Sequence, residues 1–415
     1  MKIYFKQALQ MLRENPLVNT ISILGTALSI AAILMVVLVM QVNVTEYPPE
    51  SNRNKMLYVF QVLAEPTGDQ PRNNGNMSSE VVRECFYSLQ KPAAVTAMIR
   101  GNRAISLPNK RLHQEFSVKY TDPGFWKVFD FTFTAGAPFT EADFQSGLSR
   151  AVIAEDVAAK LFETTDVIGQ TIILDFTPYT IVGVVKPVSK AASHAYSNIW
   201  VPYSATTSLM ASTRSEGIAG EFMTIMLAEK RSDFNAIKEE LDQRIARYNE
   251  GKRDWKLQLH HNSPSTQIDI LTGGNITYYL LTTGILLLFL LLIPALNITG
   301  VIHSSMYKRR SEIGVRKAFG ATQGKLVNQI LYENFVITLI GGVVGLILSF
   351  FLLEACKSFM FSNEPMLTAR MLIRPGLFLA ALLFVLLLNL LSAGLPARKI
   401  ARQQIVDALK DSDEE

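Results

Sequence analysis

The chain has 415 residues, 49% of them apolar and 18% charged, with a formal net charge of +4. This length allows two to three domains, and so apolar a mixture fits a chain that is part soluble and part membrane-embedded. The charge is too small for the length to argue for a nucleic-acid partner. The two cysteines, Cys85 and Cys356, lie far apart with no C-x-x-C spacing. That argues against a disulfide framework or a zinc site and for two inert buried thiols.

Residues 17–40 carry no charge and match one bilayer span in length. Lys2, Lys6 and Arg13 precede them as in a signal peptide. The apolar stretch is too long for one, however, and the Gln-Val-Asn-Val-Thr-Glu that follows offers no small-x-small cleavage pattern. A second uncharged run covers 270–302. A third, 326–353, holds one acid, Glu333, near its start, and a fourth, 375–397, lies between Arg374 and Arg398. The basic residues set the orientation. The leader has three, and the tail opens with Arg398, Lys399 and Arg402. Segment 303–325 has Lys308, Arg309, Arg310, Arg316, Lys317 and Lys325 against Glu312, whereas 354–374 balances Lys357, Arg370 and Arg374 with Glu354 and Glu364.

The expected order is therefore a cytoplasmic leader with the first helix (1–46), an extracytoplasmic domain (47–269), a second helix (270–302) and a cytoplasmic segment (303–325). A third helix (326–353), a short external loop (354–374), a fourth helix (375–397) and a cytoplasmic tail (398–415) complete it. This is a membrane protein of four transmembrane α-helices, with a large α+β domain inserted between the first two and both termini in the cytoplasm.

Within 47–269, residues 64–76 are polar and loop-like. Stretches 56–63, 172–176 and 179–185 are rich in β-branched and aromatic residues and predict strands. Stretches 78–89 and 156–162 have helical apolar spacing, and 222–227, 233–248 and 255–259 predict strand, amphipathic helix and strand. Ser, Ala, Thr and Gly dominate 190–221 and mark a subdomain break there.

No catalytic constellation emerges. Gly320-Ala-Thr-Gln-Gly-Lys-Leu326 has three residues between its glycines and Leu after its lysine, whereas a phosphate loop needs four and Ser or Thr. His113, His194, His260, His261 and His303 form no H-E-x-x-H pattern, and strand alternation would put His260 and His261 on opposite faces. No nucleophile elbow is present. Glu239, Glu240 and Asp242 beside Arg244 and Arg247 are a solvated helix face with i, i+4 pairing.

The basic segment between the second and third spans carries more information. Read as a helix, 307–320 places Val315, Ala318, Phe319 and Tyr307 on one side. Arg309, Arg310, Arg316 and Lys317 fall on the other, with Ile313 interrupting them. Glu312 can pair with Arg316, Gly320 can end the helix and Thr322 can cap the next. Such a helix suits a membrane surface with anionic headgroups or a docking cleft on a cytoplasmic partner. The motif alone leaves both uses open.

The run Lys308-Arg-Arg-Ser-Glu-Ile-Gly-Val-Arg-Lys-Ala-Phe-Gly-Ala-Thr322 with Gln329-Ile-Leu-Tyr-Glu333 resembles the signature of FtsX/MacB-type ABC transporter permeases. So does Leu395-Pro-Ala-Arg-Lys-Ile-Ala-Arg402, running on to Ile405-Val-Asp-Ala-Leu409. Tyr120-Thr-Asp-Pro-Gly-Phe-Trp-Lys-Val-Phe-Asp-Phe-Thr-Phe133, Gly136-Ala-Pro-Phe139 and Tyr179-Thr-Ile-Val-Gly-Val-Val185 resemble the MacB-like periplasmic core domain. The resemblance implies a non-catalytic subunit of the bacterial inner membrane with its large domain in the periplasm. It makes Glu312, Gly314, Val315, Arg316, Lys317, Phe319 and Gly320 the ATPase-coupling residues. MacB carries a fused ATPase and this sequence does not, so the expected partners are a separate cytoplasmic ABC ATPase, which would hold ATP and magnesium, and a second permease copy or paralogue. A periplasmic adaptor, an outer-membrane channel and membrane lipids complete the partners it suggests; no cofactor is expected on this chain. The implied activity is mechanotransmission driving export of peptides, lipoproteins or drugs. The alternative is an FtsX-like signalling scaffold that regulates a cell-wall hydrolase, against which the large outer region weighs.

Three features of the spans fit this reading. The first, second and fourth lack ionisable residues, so no charged conduction path marks them. Gly341-Gly342-x-x-Gly345 permits close helix contact, within one bundle or between copies. Pro294 makes a hinge or a tolerated kink.

Overall fold

The computed structural model describes residues 16–108, 110–290, 292, 319, 322–360, 376, 379–380, 382–387 and 390. They fall into two compact units, Asn43–Ile276 on one hand and Met1–Val42 with Thr277–Glu415 on the other.

Helix α1 (Pro16–Val44) has no charged residue along its length. After it the chain builds the outer unit, starting with strands β1 (Met56–Val59) and β2 (Val62–Pro66). The sequence presents 56–63 as one strand. The structure breaks it at Phe60-Gln61, because β1 pairs with β12 (Met223–Leu227) while β2 pairs with β13 (Trp255–Leu259) in a different sheet. Segment β3 (Asn73–Met77) lies within the stretch whose polarity predicts a loop. Its Asn-Asn-Gly-Asn is a poor strand former, yet it is held between β2 and β11 (Ala219–Gly220), so pairing overrides propensity.

The long hairpin of β4 (Ala94–Leu107) and β5 (Lys110–Thr121) is the backbone of the larger sheet. Sequence patterning misses it because the middle of β4, Arg100-Gly-Asn-Arg-Ala104, is polar and half exposed. Strands β6 (Phe133–Gly136), β7 (Arg150–Ala154), β8 (Thr171–Leu174), β9 (Thr177–Val185) and β10 (Ile199–Pro202) complete this sheet. The order is β1-β12-β4-β5-β10-β7-β9-β6, with β8 pairing β4 and β9, and the smaller sheet runs β11-β3-β2-β13. Only β10 with β5 and β7 with β9 are parallel. Segment 190–221, which its composition marks as a break, instead supplies β10 to the middle of the large sheet and β11 to the small one, inside one compact unit.

The helices follow their sequence signals more closely. Ser78 Oγ accepts from Val81 N and opens a short turn that continues as a π-turn over Val82–Phe86. Helix α2 (Glu155–Phe162) stops where Glu163 turns left-handed at φ 63°. Helix α3 (Phe234–Glu250) buries Phe234, Ile237, Leu241 and Ile245, a stripe at helical spacing, and leaves its acids and arginines toward solvent. The core is dense in rings: Phe125 packs on Trp126, Phe129 and Phe131, and Trp126 and Phe131 both meet the fully buried Trp200.

The expected span over 270–302 begins later than its apolar run. Residues Ile270–Thr272 belong to α4 (Gln267–Thr272), which Thr266 and Asp269 open with a reciprocal capping box and Gly273 closes at φ 59°. A separate apolar helix, α5 (Ile276–Leu290), starts beyond Gly274. Helix α6 (Gln323–Met360) begins directly after Thr322 and runs through the whole third span. Stretches Asn19–Val44 and Phe335–Leu352 are long and apolar enough to cross a membrane. Described residues of the fourth span, including 382–387, are helical.

Trp200→Ala is expected to destabilise the outer unit by about 3–5 kcal/mol through the cavity it leaves. Urea denaturation of the full chain in detergent, followed by far-ultraviolet circular dichroism, measures it.

Candidate functional site

Among the coupling residues, only Phe319 lies within the described residues. It sits in a turn with its ring 88% exposed, as a side chain available to another molecule would be. Glu312, Gly314, Val315, Arg316, Lys317 and Gly320 lie outside them.

The glycines of the third span have a defined use. A Cβ on Gly341 would come within 2.9 Å of Thr26 Cβ, and one on Gly345 within 2.9 Å of Ala27 O and 3.1 Å of Ile30 Cβ. One on Gly342 would overlap Leu382 of the fourth span. Gly341 and Gly345, one turn apart, therefore bring α6 against the backbone of α1, and Gly342 admits a neighbour on the adjoining side. The facing stripe of α1 is small and polar: Asn19, Ser22, Thr26 and Ser29 are all buried. The hydroxyls of Ser22 and Thr26 have no hydrogen-bond partner among the described residues. Below them Ile30, Ile33, Leu34 and Val385 form an apolar cluster with Leu287, Leu290 and Leu382.

The other concentration of polar groups lies at the root of the outer unit. Glu50 and Arg53 are buried and paired at 2.5 Å. Arg53 also donates to Thr45 O at 3.1 Å, Tyr47 Oη at 3.0 Å and Ala191 O at 2.7 Å, and lies 4.5 Å from the Tyr47 ring centre. The second carboxylate oxygen of Glu50 accepts from His194 N at 2.8 Å and Ala195 N at 2.9 Å. The His194 ring stacks on Tyr58 and Phe60. Its Nδ1 is 3.1 Å from Arg100 Nη2 and its Nε2 is 3.2 Å from Gln267 Oε1. Arginine only donates, so Nδ1 must accept and the proton sits on Nε2, pointing at the amide oxygen. Gln267 Nε2 in turn donates to Asn43 O at 2.9 Å. Lys119, also buried, donates to His194 O.

The electrostatics agree with this neutral imidazole. Burial pushes the His194 ring down to about 4, against the pull of Glu50. Burial would raise the Glu50 carboxyl, but His194, Arg53 and the Ala195 amide outweigh it and hold it below its ordinary value. Burial and Arg100 push the Lys119 ammonium well down. A second buried acid, Asp122, accepts from Tyr87 Oη, Thr96 Oγ1, Ala97 N and Phe125 N. Burial lifts it above its ordinary value in spite of those bonds.

These networks hold structure together. No His/Cys/Asp/Glu group among the described residues is arranged to hold a metal ion. Burial pushes the Cys85 thiol up to about 12, which makes it inert. His260 and His261 depart from strand alternation: they sit in the turn after β13 with ring centres 4.7 Å apart. They line a cavity of about 600 Å³ together with Phe60, Lys238, Ser265 and Asp269. The sequence offered one signal for the root network, a histidine in a small-residue segment, which on its own reads as scattered.

A large α+β unit whose chain enters from one uncharged apolar helix and leaves into another defines a membrane protein with an extracytoplasmic domain. Residues 20–244 match the MacB-like periplasmic core domain and residues 284–405 the FtsX-like permease C-terminal region. The chain belongs to the FtsX/MacB-type family of ABC transporter permeases. It is 27% identical over 304 residues to the ABC transporter permease YknZ of Bacillus subtilis, covering 72% of each chain. It is 30% identical over 295 residues to the pyoverdine export ATP-binding/permease protein PvdT of Pseudomonas fluorescens Pf-5, covering 69% of this chain and 42% of that longer one. Among solved structures, it is similar to the periplasmic region of MacB from Actinobacillus actinomycetemcomitans at 15% identity and a TM-score of 0.37, covering 54% of this chain and 95% of that one.

Gly341→Val is expected to push α6 off α1 and destabilise their contact, because even a Cβ there would meet Thr26 Cβ at 2.9 Å; the midpoint of thermal unfolding in detergent reads the loss. The outer unit should also lose stability as pH falls. His194 takes up a proton between its unfolded 6.5 and its native value of about 4 only when unfolded. Unfolding is therefore favoured across that window, by about 3 kcal/mol at its acidic end. Glu50, with its value depressed, contributes stability above the unfolded carboxylate range that is lost on further acidification. Denaturation midpoints measured against pH should show the slope, and His194→Gln should flatten it above the carboxylate range.

Proposed function

We propose that this chain is the non-catalytic membrane subunit of an ABC exporter of the bacterial inner membrane, with its outer unit in the periplasm. ATP and magnesium are handled by a separate cytoplasmic ATPase that docks on the 312–320 segment. A second copy or paralogue of the permease completes a two-permease, two-ATPase assembly, and a periplasmic adaptor and outer-membrane channel carry substrate onward. Peptides, lipoproteins or drugs are the substrate classes, and the pyoverdine named for PvdT belongs to that relative.

The observation that carries mechanotransmission is the way the outer unit is held. Its entry at Asn43 and its exit helix α4 are hydrogen-bonded to each other through Gln267. A displacement delivered along either apolar helix therefore reaches one shared root. The α1–α6 seam supports the same reading. It is built on close approach at Gly341 and Gly345, where dispersion contributes, and among the described residues the Ser22 and Thr26 hydroxyls make no hydrogen bond. Such a contact can shift without breaking strong bonds.

The purified chain alone is expected to hydrolyse no ATP, with turnover appearing only when an ATPase subunit is added; a phosphate-release assay on both preparations decides it. Arg316→Glu with Lys317→Glu is expected to abolish co-purification of the ATPase or to leave its hydrolysis unlinked to export. An intact complex that still exports normally would remove the coupling assignment.

A further inference from the structure

Five separate stretches of chain meet at the root of the outer unit, and each is tied to the others by a buried or half-buried polar bond. The first is the entry segment, through Asn43 O, Thr45 O, Tyr47, Glu50 and Arg53. The second is the loop around residues 191–195, through Ala191 O and the His194 and Ala195 amides. The third and fourth are β4, through Arg100, and β5, through Lys119. The fifth is α4, through Gln267.

Each donor and acceptor has one task. Arg53 binds the entry segment to the 191–195 loop. Glu50 clamps that loop by two backbone amides. His194 turns one ring nitrogen toward β4 and the other toward α4. Gln267 closes the circuit, accepting from the histidine with its oxygen and donating to Asn43 with its nitrogen. Amide and imidazole orientations are both forced, because an arginine can only donate and a backbone carbonyl can only accept. The tie between the chain's entrance and exit therefore runs through one neutral imidazole.

We infer that Glu50, Arg53, His194 and Gln267 are positioning residues that lock the entry segment and α4 into one rigid joint with the large sheet, so that a displacement reaching either end of the outer unit is delivered to the sheet rather than absorbed locally. The inference rests on the mechanotransmission reading above. It adds which residues carry the motion across the junction. Buried side-chain networks in which every member is bonded hold one geometry, because each alternative leaves a polar group unpaired in a place water does not reach. Without such a network the entry segment would swivel at Val44–Glu46.

Backbone hydrogen exchange on the full chain in lipid nanodiscs tests the joint. The variants are Arg53→Met and, because a lone buried Glu50 can unfold the unit, the milder Gln267→Met, which keeps the volume and removes both amide bonds. The bonds of Arg53 to Glu50, Thr45, Tyr47 and Ala191 all lie outside α4, so a joint and a local ion pair differ in what they expect there. Arg53→Met should speed exchange in α4 by about tenfold or more while the β4–β5 hairpin exchanges as in the wild type. Gln267→Met should do the same to Asn43–Tyr47. Unchanged α4 exchange in Arg53→Met overturns the joint, as does acceleration spread equally over β4 and β5. A second arm uses the complex assembled with its ATPase, with and without ATP. Exchange in the outer unit that responds to ATP in the wild type but not in Gln267→Met, at equal ATP hydrolysis, supports the joint. An equal response in both overturns it. A wild-type outer unit indifferent to ATP contradicts mechanotransmission itself, and the rigidity of the joint is then still decided by the first arm.

Discussion

The outer unit depends on an ion pair from which water is excluded. Removing a carboxylate and a guanidinium from water costs several kcal/mol for each ion, and their mutual attraction alone seldom compensates for it. Here Glu50 and Arg53 recover the deficit by using their remaining hydrogen-bonding capacity on fixed backbone groups: two amides for the acid, two carbonyls and a phenol for the base. Those backbone groups belong to segments up to 145 residues apart in sequence. The pair is stable only when they have all arrived, which makes it a check on the assembled fold more than a source of stability.

The rest of the architecture is arranged around that point. Phe60, which packs on the His194 ring, sits where the chain leaves the large sheet and enters the small one. Both sheets are therefore anchored beside the joint. Farther along β5, Asp122 repeats the device with four neutral donors and fixes the turn that opens the aromatic core at Phe125. The α1–α6 seam is built on the opposite principle. It relies on close approach of backbones at Gly341 and Gly345.

Some of this could be read directly. The four apolar runs, the basic island between the second and third, and the close-packing glycines are local patterns, and the motif blocks within the outer unit and after it placed the chain in its family. Helix α3 and strands β9, β12 and β13 followed from periodicity. Other elements resisted. Strand β3 has the composition of a loop and becomes a strand because β2 and β11 flank it, and the polar middle of β4 is held by β5. The small residues of 190–221 imitate a linker, yet the segment threads through the middle of the large sheet by its bulky Ile199-Trp-Val-Pro202. The first turn of the run at 270 belongs to α4, because the Thr266–Asp269 capping box and Gly273 outweigh apolar continuity.

The joint was the least legible feature. Glu50 and Arg53 are two ordinary charged residues in a polar stretch, Gln267 is an ordinary helix opener, and His194 looked like one of five scattered histidines. What the sequence determined by itself was everything set by local composition and spacing: which stretches are apolar enough for a bilayer, which face is basic, which helix can be approached closely, and which family these patterns belong to. The tertiary structure alone decided which distant polar groups share a dry site. Burial and hydrogen-bond partnership are properties of segments brought together, and no window along the chain contains both sides of such a contact.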